Sequence, residues 1–196
     1  MKQIVYVYGE KYKHLVSECL KLDAKVYEPK YVGNKDVYEK AYTNNCENFI
    51  FAIDVESGKL AGYLMITPLE EETYREMRKG NSIDTTFIKI DNIIPLRKDE
   101  DNYMYIYSLV VNPEYQGMGI SKKLADKLFD NLQVLNEEYK INAVLGDTIN
   151  PKAFGNMLRY GYIPVGVTNH QSVLIEKVFV EQADESQEAQ NKKIVV

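Results

Sequence analysis

A short stretch of this chain, residues 110–121, combines a strand end, a glycine loop and a helix start. The apolar run ends at Val111, Gly117 and Gly119 stand two apart, and a helical pattern begins at Ile120. The first turn of a helix carries N–H groups without intrahelical partners, and its dipole favours negative charge. Glycine has no Cβ, so a phosphate can approach the main chain closely. The spacing predicts an anion-binding loop or, equally well, a plain strand-to-helix turn.

Composition places the chain among ordinary globular proteins. It has 196 residues, of which 45% are hydrophobic and 27% charged, which is enough for one domain with a sizeable core and short for two. The formal net charge of -5 argues against a nucleic-acid backbone as the main partner.

The cysteines indicate neither a metal site nor a disulfide framework. Cys19 and Cys46 have no CxxC spacing and no nearby histidine cluster. A reducing, cytoplasmic location is the expectation for such a chain. The N-terminal apolar run is too short for a signal peptide and no segment approaches a membrane span, so we expect no membrane partner.

Apolar periodicity and turn residues predict a mixed α/β (α+β) domain over residues 1–180, followed by a polar tail over 181–196. Its sheet should be mostly antiparallel, with one parallel strand–helix–strand unit in the centre. The predicted order is strand 4–8, helix 11–22, a short helix within 36–42, hairpin strands 49–54 and 60–67, helix 68–79, an irregular strand within 83–96, strand 103–111, helix 120–135, strand 141–146, a helix between Asn150 and Gly161, and strands 162–167 and 172–180.

The central strand, 103–111, is the strongest strand pattern in the chain. Strict alternation places Tyr103, Tyr105, Tyr107, Leu109 and Val111 on one face, with the intervening residues on the other. Both faces are largely apolar, as expected of a strand covered on both sides.

Three local signals punctuate the elements. Residues 67–70, Thr-Pro-Leu-Glu, form a capping-box pattern with proline at the first helical position, which predicts a helix start. Gly62 inside the second hairpin strand predicts a bulge or a close backbone approach. Asn150, Pro151 and Gly161 predict the cap, first turn and end of one helix.

Several phosphate and catalytic motifs can be excluded from the residues. A dinucleotide fingerprint needs a third glycine where Lys122 stands, and there is neither a GxxxxGK[ST] nor a GxSxG sequence. Only two histidines occur, without ligand-spaced partners, so a histidine-based triad is not expected.

Residues 116–121, Gln-Gly-Met-Gly-Ile-Ser, resemble the acyl-CoA-binding motif Q/R-x-x-G-x-G/A of the GNAT superfamily of N-acetyltransferases. Gln116 and Gly119 match the motif, and Ser121 stands where glycine or alanine is usual. Downstream, Asn150 to Ala153 and then Gly161-Tyr162 are similar to the N-x-x-A and G-F segment of that family.

The resemblance implies a central, mostly antiparallel twisted sheet flanked by helices, with a splayed strand pair that holds acyl-CoA. Main-chain groups of the central strand would pair with the pantetheine arm, the glycine loop would hold the pyrophosphate, and Asn150 would hydrogen-bond the cofactor. The implied cofactor-binding residues are Leu109, Val110, Val111, Gln116, Gly117, Met118, Gly119, Ile120, Ser121, Asn150 and Ala153.

The residues that would carry protons depart from the family pattern. Met157 stands where many members carry a tyrosine that protonates the leaving thiolate, and Tyr160, one turn on, is the candidate substitute. An alkylamine of pKa near 10.4 is neutral at pH 7 at a cost of about 4.6 kcal/mol, so a general base would help. Tyr107 is the candidate to relay that proton through water, or else is a packing aromatic.

The resemblance therefore implies an acetyl-CoA-dependent N-acetyltransferase without a metal, which moves the acetyl group directly to a small-molecule or peptide amine. Two alternatives stay open, a non-catalytic CoA-binding module and an interaction protein that uses its tyrosine-rich segment 27–42. The sequence identifies neither the acceptor nor the oligomeric state, and leaves a homodimer open.

Overall fold

The computed structural model describes residues 2–80, 88–168 and 170–179. The predicted 181–196 tail and part of the predicted 83–96 strand lie outside them. Within the described residues, the strands are β1 (Ile4–Val7), β2 (Phe49–Asp54), β3 (Leu60–Leu69), β4 (Asn102–Val111), β5 (Ile141–Thr148), β6 (Ile163–Val167) and β7 (Val173–Val178). The α-helices are α1 (Val16–Val26), α2 (Lys35–Asn44), α3 (Glu71–Arg78), α4 (Ile120–Glu138) and α5 (Pro151–Arg159).

The strands form one seven-stranded sheet in the order β1-β2-β3-β4-β5-β7-β6. Only the β4–β5 pair is parallel, and the other neighbours are antiparallel. The predicted mixed fold, with its mostly antiparallel sheet and its parallel unit, is confirmed. None of the described helices has the length and apolarity needed to cross a bilayer.

Helices cover both faces of the sheet, and each face has its own apolar core. Residues of α1, α2 and α3 pack on one face, here called the α1 face, with Tyr63 and Val110 among the buried strand residues. Residues of α4 and α5 pack on the other, the α4 face, with Leu64 and Met104. This two-sided burial explains the apolar character of both faces of β4.

Two predicted helix starts are wrong. The capping-box prediction fails because Pro68 and Leu69 continue β3 and pair with Met104 and Tyr103, so α3 begins only at Glu71. Pairing with a long neighbouring strand outweighs the local helix signal. The predicted 11–22 helix begins as a 3-10 segment, Glu10–Leu15, and α1 then continues past the predicted end, to Val26.

The predicted strict alternation along β4 is also wrong, because the strand contains a β-bulge. Met65 pairs with Ser108 and the next residue, Ile66, pairs with Ile106, which leaves Tyr107 as the extra residue. Beyond the bulge the faces exchange. Leu109 and Val111 therefore pack on the α4 face, opposite to Tyr105 and Tyr107, whereas Val110 joins the α1 face.

Strand β5 stops pairing with β4 just before this bulge. The parallel pairing runs from Asn102 with Ile141 to Tyr105 with Leu145, and the rest of β5 pairs with β7. Within the described strands, residues 106–111 of β4 therefore have no partner on β5. The implied splayed strand pair is present, and we refer to the opening between its strands as the gap.

Gly62 satisfies both predictions made for it. Ala52 pairs with Gly62 and Ile53 with Leu60, which places a register shift beside the glycine. A Cβ at Gly62 would lie 2.7 Å from the Val110 carbonyl oxygen and 3.2 Å from a side-chain carbon of Ile120. The absent side chain lets β3 lie close to both β4 and the start of α4.

We predict opposite stability effects for alanine at two glycines. Gly62→Ala should lower the free energy of unfolding by about 1–3 kcal/mol, because the backbone carbonyl of Val110 cannot move aside cheaply. Gly155→Ala, on α5 with nothing within 4 Å of its added Cβ, should raise that free energy by about 0.5–1 kcal/mol. Urea unfolding of both variants measures the difference, and an equal effect would contradict the close approach.

Candidate functional site

Hydrogen bonds of buried polar groups hold the start of the loop after β4 in place. The Asn112 side chain accepts from the Glu114 N–H at 3.2 Å and donates to the Leu60 carbonyl at 3.3 Å. Tyr115, 1% exposed, donates from its hydroxyl to Asp54 at 2.9 Å. A hydrogen bond from Ser57, and next one from Tyr115, lowers the pKa of the Asp54 carboxyl, so the anchoring group is an anion. These contacts hold the loop rigidly against the β2–β3 hairpin.

The residues that follow are exposed and present an uncapped helix start. Gly117 has φ 79° and Gly119 has φ 74°, and a Cβ at either position would meet nothing within 4 Å. Gly119 is the N-cap of the 19-residue α4, and no side chain caps its first N–H groups. The glycines thus leave open space beside unpaired donors, which is the arrangement an anion needs.

The neighbours of these glycines differ in exposure. Gln116 and Met118 are exposed on either side of Gly117, whereas Ile120 is 1% exposed and anchors α4 to the core. Ser121 is half-buried in the first turn. Ile120 can therefore offer a ligand its main-chain groups alone, whereas Gln116 and Ser121 can also offer side-chain groups.

Strand β4 leads straight from the gap into this loop. Leu109 and Val111 are half-buried, and Val110 is 2% exposed with its side chain in the core of the α1 face. The unpaired edge of 106–111 is therefore joined to the uncapped start of α4 by a short loop whose own N–H groups bond within the protein.

The start of α5 lies at the other side of the gap, directly after β5. Asn150 caps the helix, because its side-chain oxygen accepts from the Lys152 N–H at 2.9 Å and the Ala153 N–H at 3.3 Å. This cap leaves the Nδ2 amide group of Asn150 for a ligand. Ala153 is half-buried one turn into the helix.

Tyr107 lies at the bulge with a buried hydroxyl that makes no hydrogen bond of normal geometry within the described residues, although the nearby Asn34 backbone acts to lower its pKa. Its ring meets Tyr38 edge-on at 5.5 Å and Tyr105 edge-on at 6.2 Å. Burial raises the pKa of Tyr107 to about 12. A buried unsatisfied hydroxyl is costly, so this group is ready to bond a ligand that enters beside it.

Tyr160 has a different environment from the one its candidate role requires. Its hydroxyl donates to Asp126 of α4, and its ring packs 5.7 Å from Phe129. Burial first, and Asp126 second, raise the pKa of Tyr160 to about 12, which makes it a weaker acid. Met157 is buried in the core of the α4 face. This geometry does not favour Tyr160 as the proton donor, and that role stays a prediction.

A carboxylate does lie at the gap, although none stands on β4 in the sequence. Asp147 follows Leu145, the last β5 residue that pairs with β4, by two positions. Its Oδ1 accepts from the Tyr105 hydroxyl at 2.6 Å, and this contact crosses from one splayed strand to the other. No pattern in the sequence links these two residues.

The α1 face also contains a buried polar network that was not predicted from the sequence. Asp23, 1% exposed, accepts from the Tyr38 hydroxyl at 2.6 Å and from the Tyr63 hydroxyl. The Tyr63 hydroxyl lies 2.9 Å from Ser108 Oγ, so the network reaches β4 next to the bulge. One signal was available, since Asp23 lies four residues after Cys19 and so continues the apolar stripe of α1.

The cysteines are unsuited to carrying an acyl group. Both are free, and burial raises the pKa of the Cys19 and Cys46 thiols. Cys19, 0% exposed, lies in the core. Among the described residues, no group of three or more His, Cys, Asp or Glu side chains could hold a metal ion.

Comparison with known proteins relates this site to one family. The sequence model of the acetyltransferase (GNAT) family matches residues 16–162. Among curated proteins, none matches the chain by sequence.

Solved structures share the fold over nearly their whole length. The NatC complex bound to Gag peptide and CoA contains a chain that is 18% identical, with a TM-score of 0.62, and the match covers 91% of this chain and 99% of that one. Arabidopsis thaliana Naa50 in complex with the bisubstrate analogue CoA-Ac-MVNAL is 14% identical, with a TM-score of 0.59 and coverage of 90% and 99%. At these identities, the likeness shows the fold alone.

We predict that Gly119→Ala weakens CoA binding about tenfold, because the Cβ fills the space that the pyrophosphate needs. The matched control is Gly58→Ala in the β2–β3 turn, where φ is 67° and the added Cβ is equally free of contacts. Both variants force alanine into the left-handed region and should lose about 1–2 kcal/mol of unfolding free energy. Calorimetric titration with CoA compares the affinities of the two variants, and equal affinities would argue against an anion site at Gly119.

Proposed function

Because this chain belongs to the GNAT family of acetyltransferases, we propose that it transfers an acetyl group from acetyl-CoA directly to an amine. The observation that carries the proposal is that the unpaired β4 edge leads, through one short anchored loop, to the uncapped glycine start of α4. An extended pantetheine arm fits the first and a pyrophosphate fits the second. The residues present therefore fit the cofactor.

Two parts of acetyl-CoA, the pantetheine arm and the pyrophosphate, have matching parts of the chain. Main-chain groups of Leu109 to Val111 pair with the pantetheine arm in the manner of an added strand. Amides of residues 117–121 hold the pyrophosphate at the positive end of the α4 dipole, and Gln116 contributes its side chain because its N–H already donates to the Pro113 carbonyl. Lys123 in the first turn of α4 adds favourable charge, whereas Lys122 already pairs with Asp126, and Asn150 Nδ2 donates across the gap.

Direct transfer suits the groups around the gap. The raised pKa values of the Cys19 and Cys46 thiols disfavour an acyl-enzyme route. A main-chain N–H at the unpaired β4 edge polarises the thioester carbonyl, and binding aligns amine and thioester at bonding distance. The leaving CoA thiol has a pKa near 8.5, so its thiolate departs without a strong acid in the place of Met157.

The energetics of deprotonation favour the α-amine of a peptide as acceptor. An α-amine with a pKa of about 7.7–8.0 is neutral at pH 7 at a cost of about 1 kcal/mol, against about 4.6 kcal/mol for an alkylamine. Asp147 at the gap supplies a carboxylate to hold the acceptor ammonium group. The NatC and Naa50 structures contain a Gag peptide and a CoA-peptide analogue respectively, which supports the same acceptor class.

We expect purified protein to release CoA thiol from acetyl-CoA in the presence of peptides with free N-termini. The assay uses a panel of peptides that differ in the first two residues, and mass spectrometry locates the acetyl group. The matched controls are the same peptides with a blocked N-terminus and one free lysine, which should react far more slowly because their amine has the higher pKa.

The panel also distinguishes the alternatives. CoA binding without thiol release from any peptide or simple amine would favour the non-catalytic module. Acetylation of lysine at the same rate as the α-amine would overturn the acceptor class while retaining the acetyltransferase.

We predict that Tyr107→Phe changes stability and activity in opposite directions. Loss of a buried unsatisfied hydroxyl should raise the free energy of unfolding by about 1 kcal/mol. If that hydroxyl bonds the reacting groups, kcat/KM should fall about tenfold, the equivalent of one hydrogen bond. Unchanged kcat/KM in the stabilised variant would leave Tyr107 as a packing aromatic.

A further inference from the structure

We propose that the half-buried Tyr27 and three buried groups, Ser108, Tyr63 and Asp23, form a proton path that takes the proton from the acceptor nitrogen during acetyl transfer. We call this set the α1 path. The proposal rests on the proposed function, and it assigns a positioning and proton-accepting role to Asp23, which lies on α1 away from the gap.

The α1 path begins at the β4 main chain beside the gap. The Tyr27 hydroxyl lies 3.4 Å from the Leu109 carbonyl oxygen and 3.5 Å from Ser108 Oγ. Ser108 Oγ lies 2.9 Å from the Tyr63 hydroxyl, which in turn contacts Asp23 Oδ1. Tyr27 is half-buried, whereas the other three residues are at most 5% exposed.

The number of hydrogens gives the α1 path a direction. Each hydroxyl has one hydrogen, and an ionised Asp23 can only accept. In the structure Tyr63 contacts Asp23 and is also the donor to Ser108, but its one hydrogen serves one acceptor at a time. For the α1 path to operate, Tyr63 donates to Asp23, the Ser108 hydroxyl rotates to donate to Tyr63, and Tyr27 turns from the Leu109 carbonyl to Ser108. The hydrogens then point towards the buried carboxylate, which leaves a lone pair of Tyr27 at the outer end to accept a proton.

The β-bulge at Tyr107 makes this arrangement possible. With strict alternation, Ser108 would face α4 and could not reach Tyr63. Because the bulge exchanges the faces, the Ser108 hydroxyl points to the α1 face at the level where β4 has already lost its β5 partner.

The proton movements balance over one turnover. The amine nitrogen forms a bond to the acetyl carbon, and the C–S electron pair leaves with the sulfur. The surplus proton on nitrogen passes to Tyr27, the Tyr27 hydrogen to Ser108, the Ser108 hydrogen to Tyr63, and the Tyr63 hydrogen to Asp23. Asp23 later returns a proton along the reverse route, and water reprotonates the thiolate.

The surroundings of Asp23 suit a group that gains and loses a proton. Burial raises the pKa of the Asp23 carboxyl, and hydrogen bonds from Tyr38, Tyr63 and the Gly33 backbone oppose that rise. A carboxylate with a raised pKa is a better base. The other titratable groups that interact with it are Cys19 of α1, Tyr27 after α1 and Tyr107 of β4, and no cation is among these neighbours.

The structure provides a matched control for the α1 path. Tyr38 and Tyr63 are both fully buried, both donate to Asp23, and their hydroxyls lie 2.7 Å apart. Only Tyr63 also contacts Ser108. Replacing either tyrosine by phenylalanine removes the same atom from the same cluster, but only Tyr63→Phe interrupts the route to β4.

The test measures kcat and KM of the full chain with acetyl-CoA and the best peptide of the panel. Tyr63→Phe, Ser108→Ala and Asp23→Asn should each lower kcat about 10²-fold, the lower end of general base effects, with KM for acetyl-CoA unchanged. Tyr38→Phe should keep the maximal kcat. Ser108→Thr retains the hydroxyl and should restore most of the activity lost in Ser108→Ala, which keeps the test valid if Asp23→Asn does not fold.

The pH profile gives a second readout that a structural role would not change. A carboxylate accepts protons only when it is ionised, so kcat should fall as the pH falls through the raised pKa of Asp23. Tyr38→Phe removes a hydrogen bond that lowers this pKa, so the acidic limb should move to higher pH. The limb should disappear in Asp23→Asn.

Three results would overturn the proposal. Equal kcat losses in Tyr38→Phe and Tyr63→Phe would assign the cluster to stability alone and leave the proposed function intact. Loss confined to an Asp147→Asn variant would move the base to the gap. Absence of transfer by the wild-type protein to every peptide and simple amine would overturn the proposed function, and the α1 path with it.

Discussion

The departure of β5 from β4 after Tyr105 is the constraint on which the rest of the site depends. Residues 106–111 of β4 still pair with β3, but the edge they turn to β5 has no partner among the described strands. Main-chain groups left in this way must bond to water or to a ligand. The loop and α4 follow that edge directly, so a single run of backbone provides both an extended pairing surface and an anion site.

The bulge at Tyr107 decides what the two faces of that edge contain. It sends Leu109 and Val111 to the α4 face, and Ser108 and Val110 to the α1 face. The side of β4 proposed for the cofactor and the polar network of Asp23 therefore lie on opposite faces of one strand, although the β4 residues involved are neighbours in sequence. Because of this separation, the proposed anionic cofactor and the buried Asp23 carboxylate can lie close together without direct contact.

Local signals accounted for most elements near the site. The start of α4 at Ile120 and the Asn150 cap of α5 followed the predictions, because capping and glycine conformations depend on a few adjacent residues. The prediction at Thr67 to Glu70 failed because β4 offered Pro68 and Leu69 pairing partners more than thirty residues away in sequence. Contacts between residues distant in sequence were the least predictable part, since Tyr105 and Asp147 meet only across the gap.

The sequence alone determined the family resemblance, the mixed fold and the glycine loop, because each is written in contiguous residues and in periodicity. Only the tertiary structure decided which distant side chains meet beside the gap. Asp23 and Tyr63 are 40 residues apart, and Tyr27 and Ser108 are 81 apart, so no local pattern could join them. The bulge that aligns them arises from the register of β3 against β4, which is a property of two strands together and not of either sequence.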